Sequence, residues 1–140
     1  MDIPDINVWL ALVDHNHIHH APAARYWEEI ADTQVAFTRI SMMGLLRLST
    51  QSRVLSRTLT NDEAWVIYKD FTALPIIQFL DEPEGLEAHF QFNTTQTPLP
   101  HHLWTDAYLA AFAISSGSRL VSFDADFARF PDLDFLHLSL

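Results

Sequence analysis

The stretch LVSFDADF, residues 120–127, decides the fold that this sequence predicts. Its first half is a short apolar run, and its second half carries two aspartates, Asp124 and Asp126. A continuous apolar run is typical of a strand that is buried on both faces of a parallel sheet. Because ligands of such sheets bind beyond the carboxyl ends of the strands, a buried strand that ends in carboxylates indicates a functional site.

Strand and helix patterns alternate on both sides of this stretch. Strands are predicted near Ile3 and at 34–38, 76–80, 119–123 and 135–138. Helices are predicted from about Val8 and at 19–32, 40–51, 60–74, 83–93 and 104–117, with a short helical turn at 125–130. The alternation predicts an α/β fold of three layers, in which a central, mostly parallel sheet of about five short strands carries helices on both faces. Without linkers or repeats, we expect residues 1–140 to form a single domain.

The composition excludes several classes of protein. Hydrophobic residues make up 49% of the 140 residues and charged residues 19%, which is typical of a compact domain with a real core. The chain has no cysteine, so disulfides, thiolate metal sites and a cysteine nucleophile are excluded. No apolar run approaches the roughly 20 residues that a membrane helix needs, and the first residues are acidic where a signal peptide is basic. We therefore expect a cytoplasmic protein without a membrane partner.

The charge of the chain is unevenly distributed. The net charge is −10, yet the window 33–61 contains no acidic residue and four arginines, Arg39, Arg47, Arg53 and Arg57. Such a basic stripe is either a solvated helix face or an edge that contacts phosphate or a partner, since guanidinium groups pair with phosphate and carboxylate oxygens. The sequence alone leaves both interpretations open.

Three aspartates that are distant in sequence are expected to meet at one edge of the sheet. Asp5 follows the first strand, Asp124 follows the strand at 119–123, and Asp106 lies in the first turn of the helix that leads into that strand. Close carboxylates repel one another unless a cation neutralises them, and Mg²⁺ or Mn²⁺ prefers such oxygen ligands. Each aspartate alone could be an ordinary turn former or helix-terminal acid, but their matching positions favour a metal site, with Asp126 as a possible fourth member.

The residues around these aspartates resemble a known family. PDINVWLAL with Asp5 and Asn7, LWTDAYLAAFA with Asp106, and RLVSFDADFARFPDL with Ser122, Asp124 and Asp126 are similar, in order and spacing, to PIN domains of the VapC type. HNHIHHAPAARYW and GLLRLST resemble two further stretches of one VapC subgroup. The resemblance spans nearly the whole chain and implies a PIN-like fold.

The resemblance also implies a function. VapC-type PIN domains are Mg²⁺- or Mn²⁺-dependent endoribonucleases that act on structured RNA such as tRNA, form homodimers and are inhibited by a VapB-type antitoxin. Carried over by position, Asp5, Asp106 and Asp124 would be the catalytic metal ligands and Asp126 an outer ligand. Asn7 and Ser122 would orient carboxylates or waters by hydrogen bonding. Apart from the resemblance, Arg47 and Arg39 are candidates to contact RNA or a partner; the helix of Arg47 should border the acidic pocket, where Arg47 either contacts the scissile phosphate or pairs with Asp5 or Asp106.

One position departs from the family pattern. PIN nucleases usually carry an acid on the helix that here reads ISMMGLLRLST, and this chain has Met42 at the expected place. A thioether is a poor ligand for a hard cation, so we expect weaker metal binding. The departure motivates an alternative function, a weakened or inactive PIN domain that binds RNA or an antitoxin without cleaving.

Other motifs suggest further alternatives. FDADF has the strand-then-Asp-x-Asp form of haloacid dehalogenase phosphatases, but too little chain follows it for that fold. A receiver domain also gathers acids at strand ends, but it needs a lysine at the same edge, whereas Lys69 lies in a predicted helix. The segment 14–20 could form a zinc site, although packing or capping is favoured for its four histidines, His15, His17, His19 and His20. The spacing of the four tryptophans predicts that most are buried, with any exposed one at a dimer surface.

Overall fold

A computed structural model, which describes residues 1–139, contains one five-stranded sheet. The spatial order is β3-β2-β1-β4-β5, and every neighbouring pair is parallel. The strands are β1 (Asp2–Pro4), β2 (Val35–Phe37), β3 (Ile77–Phe79), β4 (Arg119–Ser122) and β5 (Phe135–His137). The predicted α/β class and the strand positions are therefore confirmed, and the sheet is entirely rather than mostly parallel.

Six α-helices connect these strands. They are α1 (Ile6–Val13), α2 (His20–Arg25), α3 (Arg39–Ser49), α4 (Asn61–Thr72), α5 (Leu86–Thr95) and α6 (Trp104–Ser116). The single helix predicted at 19–32 is in fact two segments, because a π-helical turn at Tyr26–Ile30 follows α2. The turn before β5 is a 3₁₀-helix at Ala125–Arg129, as the sequence predicted. None of the helices among residues 1–139 is long and apolar enough to span a membrane.

The helices form a layer on each face of the sheet because successive strand residues point to opposite faces. Ala36 of β2 packs in a cluster with α5 and α6, whereas its neighbours Val35 and Phe37 pack with α1, α3 and α4. On that second face Trp9 stacks on Phe37 with ring centroids 3.9 Å apart. The two clusters make the predicted three-layer arrangement.

The first strand of the chain lies at the centre of the sheet. β1 pairs with β2 on one side and β4 on the other, and Pro4 stands opposite Val121. Directly after β1, the Asp5 amide donates a hydrogen bond of 2.8 Å to the Val121 carbonyl. The strands β2 and β3 lie on one side of β1, and β4 and β5 lie on the other. A parallel sheet has a crevice beyond the carboxyl ends of its strands at such a point, here between β1 and β4.

The amino end of β1 is closed by a buried ion pair. The Asp2 carboxylate is fully buried and accepts hydrogen bonds of 2.9 and 2.8 Å from Nε and Nη2 of Arg119. The Tyr26 hydroxyl and the Asp32 amide also donate to it, at 2.8 and 3.1 Å. Burial and this hydrogen bond raise the pKa of Tyr26. Asp2 therefore accepts four hydrogen bonds within the protein, one on Oδ1 and three on Oδ2.

Candidate active site

Asp5 stands at the crevice and caps α1. Its Oδ1 accepts a 2.7 Å hydrogen bond from the Ile6 amide, and its Oδ2 accepts one of 2.8 Å from the Ser122 hydroxyl. The side chain is buried, and none of the three ion pairs formed by residues 1–139 involves it. Burial raises the pKa of Asp5, with a smaller contribution from the charge of Asp124, while both hydrogen bonds act in the opposite direction. Asp5 is thus a buried carboxylate without a cation.

Ser122 links the ends of β1 and β4. It is fully buried, and besides donating to Asp5 its hydroxyl accepts hydrogen bonds from Asn7 Nδ2 at 3.1 Å and from the Asp124 amide at 2.9 Å. The Asn7 Oδ1 in turn accepts a hydrogen bond of 3.4 Å from the Phe123 amide. A hydroxyl has one proton and two lone pairs, so these partners fix its orientation completely.

Asp106 faces the other aspartates from the first turn of α6. It is half-buried, and its pKa is raised to about 7, chiefly by burial and then by the charges of Asp5, Asp124 and Asp126. Repulsion of this kind acts only over short distances in a protein. The structure therefore brings all four sequence-predicted carboxylates into one electrostatic cluster, which we call the acidic cluster (Asp5, Asp106, Asp124 and Asp126).

The last two members of the acidic cluster lie on one turn. Asp124 precedes the 3₁₀-helix, and its Oδ1 accepts a hydrogen bond of 2.9 Å from the Asp126 amide. Asp126 itself is exposed. Among residues 1–139, no three acidic or histidine side chains stand close enough to hold an ion as they are oriented. The donor set nevertheless fits a hard divalent cation, since it is all oxygen and its negative charges add to the effect of burial in raising the pKa of Asp106.

The side chain of Met42 is buried in the hydrophobic core. Its side chain is 8% exposed and belongs to the core cluster that contains Trp9 and Leu45. The physical reason is the helical period, because Met42, Leu45 and Ser49 lie on the buried side of α3. That Met42 stands where the family carries its helix acid stays a prediction, while its burial shows that it packs among apolar side chains.

The opposite side of α3 lines a cavity of about 490 Å³ beside the acidic cluster. We call it the α3–α4 groove. Its lining follows the helical spacing of α3 and α4 and includes two residues adjacent to the aspartates, Ile6 and Thr105. The lining residues are Ile6, Ile40, Met43, Gly44, Leu46, Arg47, Thr50, Asn61, Trp65 and Thr105.

The two arginines singled out in the sequence occupy different environments. Arg47 is exposed and lines the α3–α4 groove, whereas the guanidinium of Arg39 lies 4.5 Å from the centre of the Phe79 ring. Neither takes part in an ion pair within residues 1–139, so Arg47 is not paired with Asp5 or Asp106.

Trp65 in the α3–α4 groove was missed as a site residue. It is 45% exposed and Trp104 is 47% exposed, whereas Trp9 is buried. A signal was available in the sequence, because Asn61, Trp65 and Lys69 follow at intervals of four on one face of α4. A tryptophan between two polar residues on a helix face indicates exposure rather than burial.

Rings of the histidine-rich segment stack on one another and on Phe123. The His15 ring stacks on His20 at 4.6 Å, and the His19 ring stacks on Phe123 at 4.3 Å. No group of three histidine or acidic residues that could bind an ion is present in the described segment. Burial lowers the pKa of His17, and neighbouring histidine charges lower it further.

Comparisons with known proteins agree with this geometry. The family model described as "PIN domain" matches residues 3–133. Ribonuclease VapC41 of Mycobacterium tuberculosis is 40% identical over 138 residues, covering 93% of each chain, and ribonuclease VapC33 of the same organism is 32% identical, covering 95% of this chain and 94% of its own.

Solved structures share the fold at low sequence identity. Mycobacterium tuberculosis VapC20, a toxin that cleaves the sarcin-ricin loop, superposes with a TM-score of 0.71 at 15% identity, covering 96% of this chain and 98% of its own. VapBC2 from Rickettsia felis, bound to a promoter DNA fragment, gives a TM-score of 0.70 at 13% identity, covering 99% and 98%.

Proposed function

This chain belongs to the PIN domain family, and we propose on that basis that it is a divalent-metal-dependent endoribonuclease. It would act as the toxin of a VapBC-type toxin–antitoxin module and hydrolyse phosphodiester bonds of structured RNA such as tRNA. The proposal is supported by relatives that are named ribonucleases of the VapC type. Their sequences align with more than nine-tenths of this chain.

The observation that carries the proposal is the acidic cluster. Four carboxylates meet where β1 and β4 end, and the pKa of Asp106 rises to about 7 chiefly because Asp106 is partly buried and further because the other three carry negative charge. A protein does not gain stability from gathering uncompensated charge, so such a cluster is typical of a functional site. Its position at the crevice of a parallel sheet agrees with this reading.

Mg²⁺ or Mn²⁺ would be held by Asp5, Asp106 and Asp124, with Asp126 as an outer ligand. When bound, the ion would lower the pKa of a coordinated water and stabilise the charge that develops on the phosphate. Asp106 would have to release its proton for this, because a carboxylate binds metal only when deprotonated. Ser122 and Asn7 would keep Asp5 and the Asp124 backbone in fixed positions through the bonds described above.

The partners follow from the same charge distribution. A VapB-type antitoxin would neutralise the acidic cluster with a cationic segment, and Arg47 would contact the RNA backbone next to it. We also propose that the protein acts in the cytoplasm as a homodimer, with residues 1–140 as one domain.

The deciding experiment is RNA cleavage by the purified protein, freed of any antitoxin, with Mn²⁺, with Mg²⁺ and with EDTA. We expect cleavage only with metal and a loss of at least about 100-fold in Asp5→Asn, which removes one ligand charge. The matched control is Asp32→Asn, an exposed acid far from the acidic cluster that pairs with the N-terminus. Cleavage that persists in EDTA or in Asp5→Asn would contradict the proposal.

A second function is favoured by one observation, the lack of any acid on α3. A PIN domain with fewer ligands would bind RNA or antitoxin without cleaving. Stable RNA binding with no cleavage at millimolar Mn²⁺ would select this alternative.

A further inference from the structure

The α3–α4 groove has the size and lining of a subsite for one small planar group. Its volume of about 490 Å³ lies in the range of pockets that bind small ligands. The floor is apolar, and it is tight: a Cβ on Gly44 would lie 2.2 Å from Ile6 Cδ1, so α3 sits directly on α1. A flat apolar ligand can lie on such a floor.

The groove is continuous with the acidic cluster. Ile6 follows Asp5 in sequence and Thr105 precedes Asp106, and both line the groove. A chain whose phosphate lies at the carboxylates therefore has its neighbouring unit at the groove.

Trp65 forms an exposed aromatic wall of the groove. It is 45% exposed, and its ring meets Tyr68 edge-on with centroids 6.0 Å apart and an interplanar angle of 78°. An edge contact of this kind holds the ring upright while leaving surface available for stacking.

The charged residue that lines the groove is positive. Arg47 lines it without an ion pair in the described part of the chain, and the Lys69 ammonium lies 6.0 Å from the centre of the Trp65 ring. No acidic residue occurs between Asp32 and Asp62. In a chain of net charge −10, this local excess complements a polyanion.

We propose that the α3–α4 groove binds one unpaired nucleobase adjacent to the scissile phosphate, with the base stacked on Trp65 and its phosphate paired with Arg47. This inference rests on the proposed nuclease function. The combination of an aromatic platform with a flanking guanidinium is the usual way to hold single-stranded nucleic acid. The subsite selects RNA that is single-stranded at the cleavage point.

The test separates binding from cleavage by using the Asp5→Asn protein as background. Binding of a fluorescein-labelled single-stranded RNA of about 12 nucleotides is measured by anisotropy, with abasic positions introduced one at a time. We expect Trp65→Ala to raise the Kd by about 5- to 100-fold and Trp65→Phe to raise it much less. Val66→Ala is the matched control, since Val66 is 58% exposed on the same helix but does not line the groove.

The abasic series tests the stacking partner directly. At one position, an abasic site should raise the Kd of the Asp5→Asn protein by the same factor as Trp65→Ala does. In the protein that carries both Asp5→Asn and Trp65→Ala, the same abasic site should not raise the Kd any further. In the cleaving protein, Trp65→Ala should raise KM with kcat retained. Unchanged RNA affinity in Trp65→Ala, or equal losses in Val66→Ala, would overturn the subsite.

The outcomes distinguish this inference from the proposed function. Metal-dependent cleavage with no effect of Trp65 would remove the subsite and leave the nuclease. Trp65-dependent RNA binding without cleavage would remove the nuclease and leave the subsite. If Trp65→Ala changed only the oligomeric state or the affinity for an antitoxin, the groove would be a protein interface and the proposal would be wrong.

Discussion

The two ends of β1 carry buried aspartates in opposite electrostatic states. At the amino end, Asp2 is neutralised by Arg119 and is hydrogen-bonded by Tyr26. At the carboxyl end, Asp5 has a hydroxyl and an amide as donors, and its charged neighbours are other carboxylates. Asp2 and Asp5 are three positions apart in the sequence, yet the fold compensates the charge of Asp2 and not that of Asp5.

This difference separates a structural role from a functional one. A buried carboxylate without a cationic partner lowers stability, and such groups are typical of functional sites. The contrast predicts that mutations at the two ends act oppositely: at Asp2 they remove stability, and in the acidic cluster they restore it while removing function.

The largest effect on stability is expected from Asp2→Asn. The substitution leaves Arg119 facing a neutral group in a mostly buried position, and the free energy of unfolding should fall by about 3 kcal/mol. Urea denaturation followed by circular dichroism measures this. Asp32→Asn serves as the control, because its ion pair with the N-terminus is exposed and should contribute little. Equal losses in the two variants would mean that the buried network adds nothing special.

A slightly smaller loss is expected from Met42→Glu, which places a new charge in the core without a partner. Stability should fall by about 2 kcal/mol or more, and Mg²⁺ affinity measured by calorimetry should not rise, because Met42 faces Trp9 and Leu45 rather than the acidic cluster. Met43→Glu, on the exposed side of α3, should leave stability nearly unchanged. A gain in Mg²⁺ affinity from Met42→Glu would restore the original sequence-based placement.

A gain of stability is expected from Asp106→Asn in metal-free protein. The substitution removes one member of the repelling set, and because Asp106 is only half-buried we expect about 1 kcal/mol near pH 8. The same variant should lose the increase in Tm that millimolar Mg²⁺ gives the original protein. A drop in metal-free Tm, or an undiminished Mg²⁺ effect, would place Asp106 outside the ligand set.

The smallest effect is a dependence of stability on pH. The pKa of Asp106 in the folded protein, about 7, lies above the unfolded value of roughly 3.9, so the folded state binds the proton more tightly. Its contribution to stability is present below pH 4 and is lost as the pH rises toward 7. Melting in EDTA between about pH 5 and pH 8 should show a steeper decline for the original protein than for Asp106→Asn. Parallel curves would contradict this assignment.

Much of the fold was accessible from local patterns. The capping box of Thr60 and Glu63 starts α4. Gly117, with φ of +65°, ends α6 at the end of the helix predicted at 104–117. The clustering of Asp5, Asp106 and Asp124 followed from a topological rule, because parallel strands present their carboxyl ends at one edge. The helix ends can be predicted because their causes lie within a few residues, and the meeting of the aspartates can be predicted from strand direction alone.

Local patterns did not show which side of a helix is buried against the rest of the protein. On α3, Met42 and Met43 are adjacent and chemically identical, yet one is 8% and the other 55% exposed. Only the contact of α3 with α1, at Gly44 and Ile6, decides between them. The Asp2–Arg119 pair escaped notice for a similar reason, since its members are 117 positions apart and meet only in the assembled sheet.

The central place of β1 in the sheet has a consequence for the synthesis of the protein. Asp5 receives its hydrogen bond from Ser122, 117 residues later, and Asp124 lies beyond that. A nascent chain therefore carries only Asp5 of the acidic cluster until Asp106 is made, and the cluster is complete only after β4 and the turn that follows it have been synthesised. The cleavage that we propose for the acidic cluster would begin only after that point, so the growing chain would not cut RNA before β4 has folded.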